Sequence, residues 1–247
     1  MGNSQSFEQL VGPLSKELSL PVSTQETHGT TVLCLRYNQG ILTLADRRAT
    51  MGHLVMYDQA KKIVALDDHT IIAISGSYAR SMKVCRYLKH SLKYYRRTHL
   101  TEMSAEGKVH QVSRSVAENT AAAQNGAGIF IPLLANYNPQ LDKFEIHFFD
   151  GAGAHFYHHG YACAGSGSER IRGIFEYLSR AKKPFEQRTL LNVLVDGLLT
   201  LDIAADLDSA TGGFNKILPA VRVLNREGTH DIQPELLEKA AATVLKG

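Results

Sequence analysis

Hydrophobic positions along this chain follow two rhythms. Between residues 31 and 75 they come in short runs, at 31–37, 41–45, 62–66 and 70–75. β-Branched and apolar residues dominate these runs. Asn38-Gln39-Gly40 and Asp67-Asp68-His69 separate them. Asn and Gly accept positive φ, so the first two runs predict a β-hairpin. The run at 70–75 is continuously apolar and bounded by turn residues, as a strand buried on both faces is. Residues 51–59 mix polar and apolar positions and predict no regular element.

The second rhythm has a spacing of three and four. Tyr78, Met82, Cys85, Leu88, Leu92 and Tyr95 predict a helix that Ser77 caps and that runs to about residue 97. Val109, Val112, Val116, Thr120 and Ala123 predict a second helix, from near Ser104 to Gly126. Strand runs return at 129–137, 143–150 and 155–158, a meander with turns at Asn138-Pro139 and at 151–153. A short run at 161–164 leads into Gly165-Ser166-Gly167-Ser168. Ile171, Ile174, Phe175 and Leu178 predict a helix over 168–182, which Pro184 stops. Residues 186–205 are apolar nearly all round, the pattern of a helix covered on every side. A last strand is expected at 217–224 and an exposed helix at 233–246. Strands, helix pair, strands, helix pair, strand is an α+β order. It predicts a four-layer αββα sandwich, two antiparallel sheets face to face with a helix pair on each outer side.

Composition changes this picture little. Of 247 residues, 44% are hydrophobic and 21% charged, the balance of a globular domain with its own core. No apolar run approaches the roughly 18 residues of a membrane span, and the first residues lack the basic and apolar regions of a secretory signal. MGNSQS fits the loose N-myristoylation pattern, which is too short to carry weight alone. Cys34, Cys85 and Cys163 are odd in number and widely spaced, as core thiols in a reducing cytoplasm are. The net charge is +3, and the one basic cluster, Lys93-Tyr94-Tyr95-Arg96-Arg97, reads as a solvated helix end. Neither a nucleic-acid partner nor a membrane is expected.

The candidate chemistry sits at the head of the first hairpin. Residues 1–28 are rich in Ser, Gln, Glu and Pro, and a Gly29-Thr30 junction follows them. If the chain is cut after Gly29, Thr30 gains a free α-amino group. It then carries a nucleophile and its own base on one residue. His155, His158 and His159 form a second polar cluster, but no carboxylate or cysteine accompanies them, so no metal is expected. Nothing in the sequence calls for a cofactor.

Six motifs in order carry a resemblance. They are Gly29-Thr30-Thr31, Asp46-Arg47-Arg48, Lys62, Ser75-Gly76, Gly165-Ser166-Gly167-Ser168 and the segment Asp208-Ser209-Ala210-Thr211-Gly212-Gly213. Together they resemble the proteasome β-subunit family, in its bacterial, actinobacterial form, over about residues 27–245. The resemblance implies an N-terminal-nucleophile (Ntn) hydrolase fold, a propeptide of residues 1–29 removed by autocatalysis, and a threonine-type endopeptidase domain over 30–247. It also implies a homo-heptameric β ring within a barrel of four stacked rings, capped by α subunits. A ring-shaped ATPase unfoldase would feed that barrel, with Pup-tagged proteins as possible substrates. Two departures stand out. Thr211 occupies a place where many relatives have serine, and Ser75-Gly76-Ser77-Tyr78 replaces a smaller Ala-Gly-Thr-Ala type sequence. Two other readings are a relative of the bacterial HslV peptidase and a β-type subunit that only builds the ring. Gly-Asp-Gly in place of Ala45-Asp46-Arg47 would mark the first; loss of the threonine or its Asp and Lys partners would mark the second.

The resemblance also assigns roles. Thr30 is the expected nucleophile, with Lys62 supplying a positive charge that keeps the amine basic and Asp46 accepting from Lys62 to hold it protonated. Gly76 N–H faces the substrate carbonyl oxygen. Ser166, Asp208 and Thr211 form a hydrogen-bonded shell around the amine and the nucleophile. Ala49, Ala60, Val64, Ile74, Tyr78 and Met82 surround the pocket for the residue before the cut bond. None of the six is charged, so cleavage after large apolar residues is expected.

Overall fold

The protein is described by a computed structural model covering residues 29–51, 54–123, 128–214 and 217–245. Strands β1 (Thr31–Tyr37) and β2 (Gly40–Ala45) form the expected hairpin. β3 (Ala49–Met51) and β4 (Leu54–Tyr57) make a small separate hairpin. Then come β5 (Ile63–Asp67), β6 (Thr70–Gly76) and helices α1 (Tyr78–His99) and α2 (Ala105–Ala123). β7 (Phe130–Asn138), β8 (Lys143–Phe149), β9 (His155–His158) and β10 (Tyr161–Gly165) follow. Helices α3 (Ser168–Ala181) and α4 (Leu190–Leu207) come next, then β11 (Ala220–Asn225), β12 (Gly228–Asp231) and α5 (Pro234–Val244).

The strands pair into two five-stranded antiparallel sheets, in the orders β10-β1-β2-β11-β12 and β5-β6-β7-β8-β9. Alternation along each strand sorts its residues into layers. In the first sheet, Val32, Cys34, Ile41 and Ala45 face inward and meet Ile71, Ala73, Leu133 and Ala135 of the second. Leu33, Leu35, Leu42 and Leu44 face the other way, onto Phe175, Leu194, Leu198 and Leu201 of α3 and α4. Ile72, Ile74, Leu134 and Phe130 of the second sheet pack on Cys85, Leu88, Val112 and Val116 of α1 and α2. Both faces of both sheets are therefore covered, so their central strands read as continuous apolar runs. The four-layer sandwich follows.

Several details differ from the expectation. Within 51–59, where no regular element was expected, Met51 ends β3 and residues 54–57 form its partner β4. All four residues of β4 are exposed, so no buried face imposed an alternating pattern on it. A 3₁₀ turn at Phe185–Gln187 precedes α4, which starts later than expected, at Leu190, where Thr189 Oγ1 accepts from Asn192 N–H. That helix is not enclosed on every side, because Leu199 and Leu207 reach solvent. β11 begins at Ala220, just after Pro219, whose nitrogen has no hydrogen to give to a ladder. β12 is too short and polar to announce itself. α5 is not an exposed helix: Leu237, Ala240 and Ala241 are buried with α4 side chains, giving that layer a third helix. Ser77 takes the N-cap position of α1 without a side-chain capping bond. Gly126, the expected end of α2, lies outside the described residues. No described helix is long and apolar enough to cross a membrane.

Candidate active site

Strand register gathers the distant motifs at one end of the first sheet. Thr30 directly precedes β1. The hairpin pairs Val32 with Ala45, which puts Asp46 beside Thr31, and Asp46 N–H donates to Thr31 O at 3.2 Å. On the other side β10 pairs Gly165 with Thr31, which puts Ser166 beside Thr30. Thr30 N–H donates to Ser166 Oγ at 3.3 Å, and Thr30 Oγ1 donates to Gly29 O at 2.6 Å. Thr30 is buried.

Asp46 is the hub of one network. Its Oδ1 accepts from Thr31 N–H at 2.9 Å and from Lys62 Nζ at 2.7 Å. Its Oδ2 accepts from Arg48 N–H at 3.0 Å and Gly212 N–H at 2.9 Å. Four donors around one carboxylate fix its position. Lys62 lies just before β5, and its side chain is only 3% exposed. Burial pushes its ammonium below the ordinary lysine value, and the Asp46 carboxylate opposes that shift.

Asp208, just after α4, is the hub of the other network. Its Oδ2 accepts from Ser166 Oγ at 2.5 Å and from Thr211 Oγ1 at 2.6 Å, and its Oδ1 from Ala210 N–H at 3.2 Å. Thr211 Oγ1 also lies 2.7 Å from Thr31 Oγ1, which ties this network to β1. Ser166, Asp208 and Thr211, separated in sequence, thus form one network that meets the Thr30 amide through Ser166 and the Thr31 hydroxyl through Thr211.

Gly76 closes β6 with φ +90, and a Cβ there would stand 2.3 Å from Ile129 O. Only glycine fits that position without strain. Ile74 N–H donates to Lys62 O and Ser77 N–H to Ile129 O, both strand-type bonds to opposite neighbours. Alternation therefore turns Gly76 N–H toward the β5 side. There the chain has already left for Arg47, whose carbonyl takes Ala60 N–H at 2.9 Å. Gly76, Ser166 and Asp208 share the lining of a cleft of ≈ 760 Å³ with Gly29, and Phe148, Ala162 and Cys163 add apolar wall.

The six predicted pocket residues are not in the lining of this cleft. Ile74 is buried in the cluster beneath α1, with Val64, Tyr78 and Met82 packed against it. Tyr78 Oη accepts from Lys61 N–H at 3.3 Å. Ala60 is buried beside this group, and Ala49 opens β3. Thr31, Arg48, Thr50 and Ala210 are contacts that sequence reasoning passed over. Thr31 and Arg48 stand inside quoted motifs, so adjacency was the available signal. Thr50 Oγ1 accepts from Gly29 N–H at 3.2 Å, and nothing in the sequence pointed to it. His155 closes one end of β9 and His159 falls beyond its other end. Among the described residues no group of three or more His, Cys, Asp or Glu is placed to hold a metal.

Two facing antiparallel sheets between helix layers, with a threonine at the head of an inner strand, define the Ntn-hydrolase type of sandwich. The chain belongs to the proteasome subunit family, whose model, described as "Proteasome subunit", matches residues 26–214. It is similar to the proteasome subunit beta of Acidothermus cellulolyticus, 32% identical over 87% of this chain and 76% of the relative. It is also similar to that of Streptomyces griseus, 29% identical over 98% of this chain and 88% of the relative. The proteasome subunit beta of Jonesia denitrificans is 30% identical over 88% of this chain and 71% of the relative.

Proposed function

We propose that this chain is the catalytic β subunit of a proteasome core particle, a threonine endopeptidase that frees its own nucleophile by cutting after Gly29. The observation that carries this reading is the placement of Thr30. Its hydroxyl lies against the Gly29 carbonyl, and the Thr30–Thr31 backbone runs between the Asp46–Lys62 and Ser166–Asp208–Thr211 networks.

In the precursor, Thr30 Oγ attacks the Gly29 carbonyl carbon. The C–N bond breaks, the hydroxyl proton ends on the nitrogen, and an ester joins Gly29 to Thr30. Water opens that ester, giving a Gly29 carboxylate, the free hydroxyl and an α-amine. That amine has an ordinary pKa of about 7.7–8.0. It takes the Thr30 Oγ proton when the hydroxyl attacks a substrate carbonyl, and buried positive charge at Lys62 keeps it basic. Gly76 N–H takes the developing oxyanion. The proton then passes to the leaving amine, and water releases the second product.

If Ala49, Ala60, Val64, Ile74, Tyr78 and Met82 surround the residue before the cut bond, as the resemblance implies, their lack of charge favours large apolar residues there. The subunit works in a homo-heptameric β ring beneath α subunits, fed by an ATPase that delivers unfolded, including Pup-tagged, proteins. Its three cysteines, free and largely buried, suit the cytoplasm.

The test is Thr30→Ala in particles assembled with α subunits. The substitution keeps a small side chain, so rings form. Mass spectrometry should show residues 1–29 retained, and peptides ending in Tyr or Leu should go uncut. Wild-type particles should cut those peptides faster than peptides ending in Arg or Asp. A Thr30→Ala particle that loses residues 1–29 and cuts peptide would overturn the reading.

A further inference from the structure

A second cavity, of ≈ 700 Å³, adjoins the cleft at Thr30. His158, Tyr161 and Arg172 line both. The second cavity lies between the turn after β9, helix α3 and the 3₁₀ turn at Phe185–Gln187. Its floor is firmly packed. Tyr161 stacks on Phe175 at 5.1 Å, and both rings meet the buried Phe185. Its carboxylates have other partners. Glu176 accepts from Arg180 Nη2 at 2.6 Å and from Tyr161 Oη at 2.9 Å, and Glu186 favours the charge of Arg36. Arg172 is exposed and has no hydrogen bond or ion pair among the described residues, so its five N–H donors are free. Burial first, then Arg172 and His159, hold the His158 imidazole below its ordinary value. On the wall shared by cleft and cavity, the cation at neutral pH is therefore Arg172. Beside it, Gly173 leaves open space, because a Cβ there would meet nothing within 4 Å. Glycine inside a helix is less favourable than alanine, and no packing within the chain requires it here.

We propose that Arg172 forms a carboxylate subsite, taking the side chain of an acidic substrate residue that follows the cut bond. The inference rests on the reading of the chain as an endopeptidase. Val64, Ile74, Tyr78 and Met82, assigned by resemblance to the residue before the cut, lie on the β5–α1 side. β10 and Ser166 flank Thr30 on the other side. The substrate chain after the cut is thus left the β10–α3 side, where Arg172 stands. A planar guanidinium with free donors takes a carboxylate through two parallel N–H···O bonds. An extended peptide advances about 3.3–3.6 Å per residue, so the place of the acid relative to the cut decides whether it meets Arg172. Arg172 touches no reacting atom and selects substrate only. Because it is exposed, its pairing is of modest strength.

The experiment uses particles assembled from the full-length chain and its α-type partner. Peptides share one leucine before the cut and carry Glu, Gln or Lys at each successive position after it, with amidated C-termini. Mass spectrometry follows the products. At one position, or two adjacent ones, kcat/KM should favour Glu over Gln about two- to fivefold, with Lys poorest. High salt should shrink that gap. Arg172→Glu should reverse the order, to Lys over Gln over Glu. Equal rates for Glu and Gln at every position, or an order unchanged in Arg172→Glu, would overturn the subsite. A Gln peptide ending at the favoured position in a free carboxylate tests the other source of the same chemistry. A gain there and none with Glu would overturn the assignment to a side chain. Failure of the endopeptidase reading looks different, since wild-type particles then cut no peptide. Binding decides in that case. By fluorescence anisotropy, a fluorescein-labelled Glu peptide should bind wild-type particles more tightly than its Gln counterpart, and Arg172→Glu should remove the difference. Equal binding to the wild type would sink the proposal.

Discussion

Two buried ion pairs, Lys62–Asp46 and Arg188–Asp196, look alike as pairs and differ in what they hold. Both are almost fully removed from solvent. Arg188 uses all three of its nitrogens. Nη1 donates to Asp196 Oδ2, Nη2 to Leu178 O and Nε to Lys183 O. Its guanidinium also lies over the Phe185 ring at 4.0 Å. Lys182 adds a second cation to Asp196. Each nitrogen thus has a partner, three of the five N–H donors in all, and the pair binds the end of α3 and the following turn to α4. Lys62 has three N–H donors, and among the described residues its hydrogen bond is to Asp46. The Arg188 pair ties a helix end and a turn to α4, whereas the Lys62 pair, through Asp46, holds the Thr31 amide at the head of β1. Removing one partner of a buried pair is costly in either case. The difference lies in whether the cost falls on stability or on turnover.

Lys62→Ala should give the larger effect. Asp46 keeps three backbone donors, so the fold survives, but the cation paired with it next to the Thr31 amide is gone. Peptide turnover in assembled particles is expected to fall on the order of 10²–10⁴-fold, with residues 1–29 retained. Arg188→Ala should do the reverse. It leaves Asp196 with the half-exposed Lys182 alone and frees two carbonyls, and should cost about 3–5 kcal/mol of stability by chemical denaturation. Turnover per assembled particle should change only a few-fold. If Arg188→Ala removes turnover without moving the denaturation midpoint, or Lys62→Ala shifts only the midpoint, the distinction collapses.

A smaller effect sharpens the same contrast through pH. Burial places the Lys62 pKa below its ordinary value of 10.5. If the ammonium supplies the needed charge, turnover falls as pH rises through that lowered value, before an ordinary lysine titrates. Stability moves the other way. Between the lowered folded value and 10.5, the unfolded chain holds a proton that the folded chain has released. Lys62 therefore makes folding stability rise with pH across that window. Profiles of kcat/KM and of the denaturation midpoint from neutral pH to about pH 11 test both signs. A wild-type midpoint that does not rise relative to that of Lys62→Ala across that window would contradict the burial argument.

The sequence was most readable where one element's pattern was sufficient. β1, β2, β6 and α1 show their periods because they bury whole faces, and their expected bounds agree with those found to within a residue or two. β3, β4 and β12 were missed because strands of three or four residues are too short to show an alternation. α5 was misjudged because its burial depends on α4, which no local pattern reports. The candidate residues divide the same way. Thr30 was suggested by its own neighbour, Gly29. Asp46, Lys62, Ser166, Asp208 and Thr211 came from family likeness, and spacing alone did not link them.

By itself the sequence determined the periods, 2 in the strands and 3.6 in the helices, and hence the layers that apolar faces must build. It also determined the glycine-threonine junction at the head of the first strand. Only the tertiary structure decided which groups meet there. Thr30 meets Ser166 across 136 residues and Thr31 meets Thr211 across 180, and Gly29 is held by Thr50 and Ala210. Hydrophobic period is a local property, because each residue contributes to burial whatever its distant partner. A hydrogen bond between remote side chains exists only once strand register has fixed both ends within about 3 Å, and register is set by the pairing of whole strands.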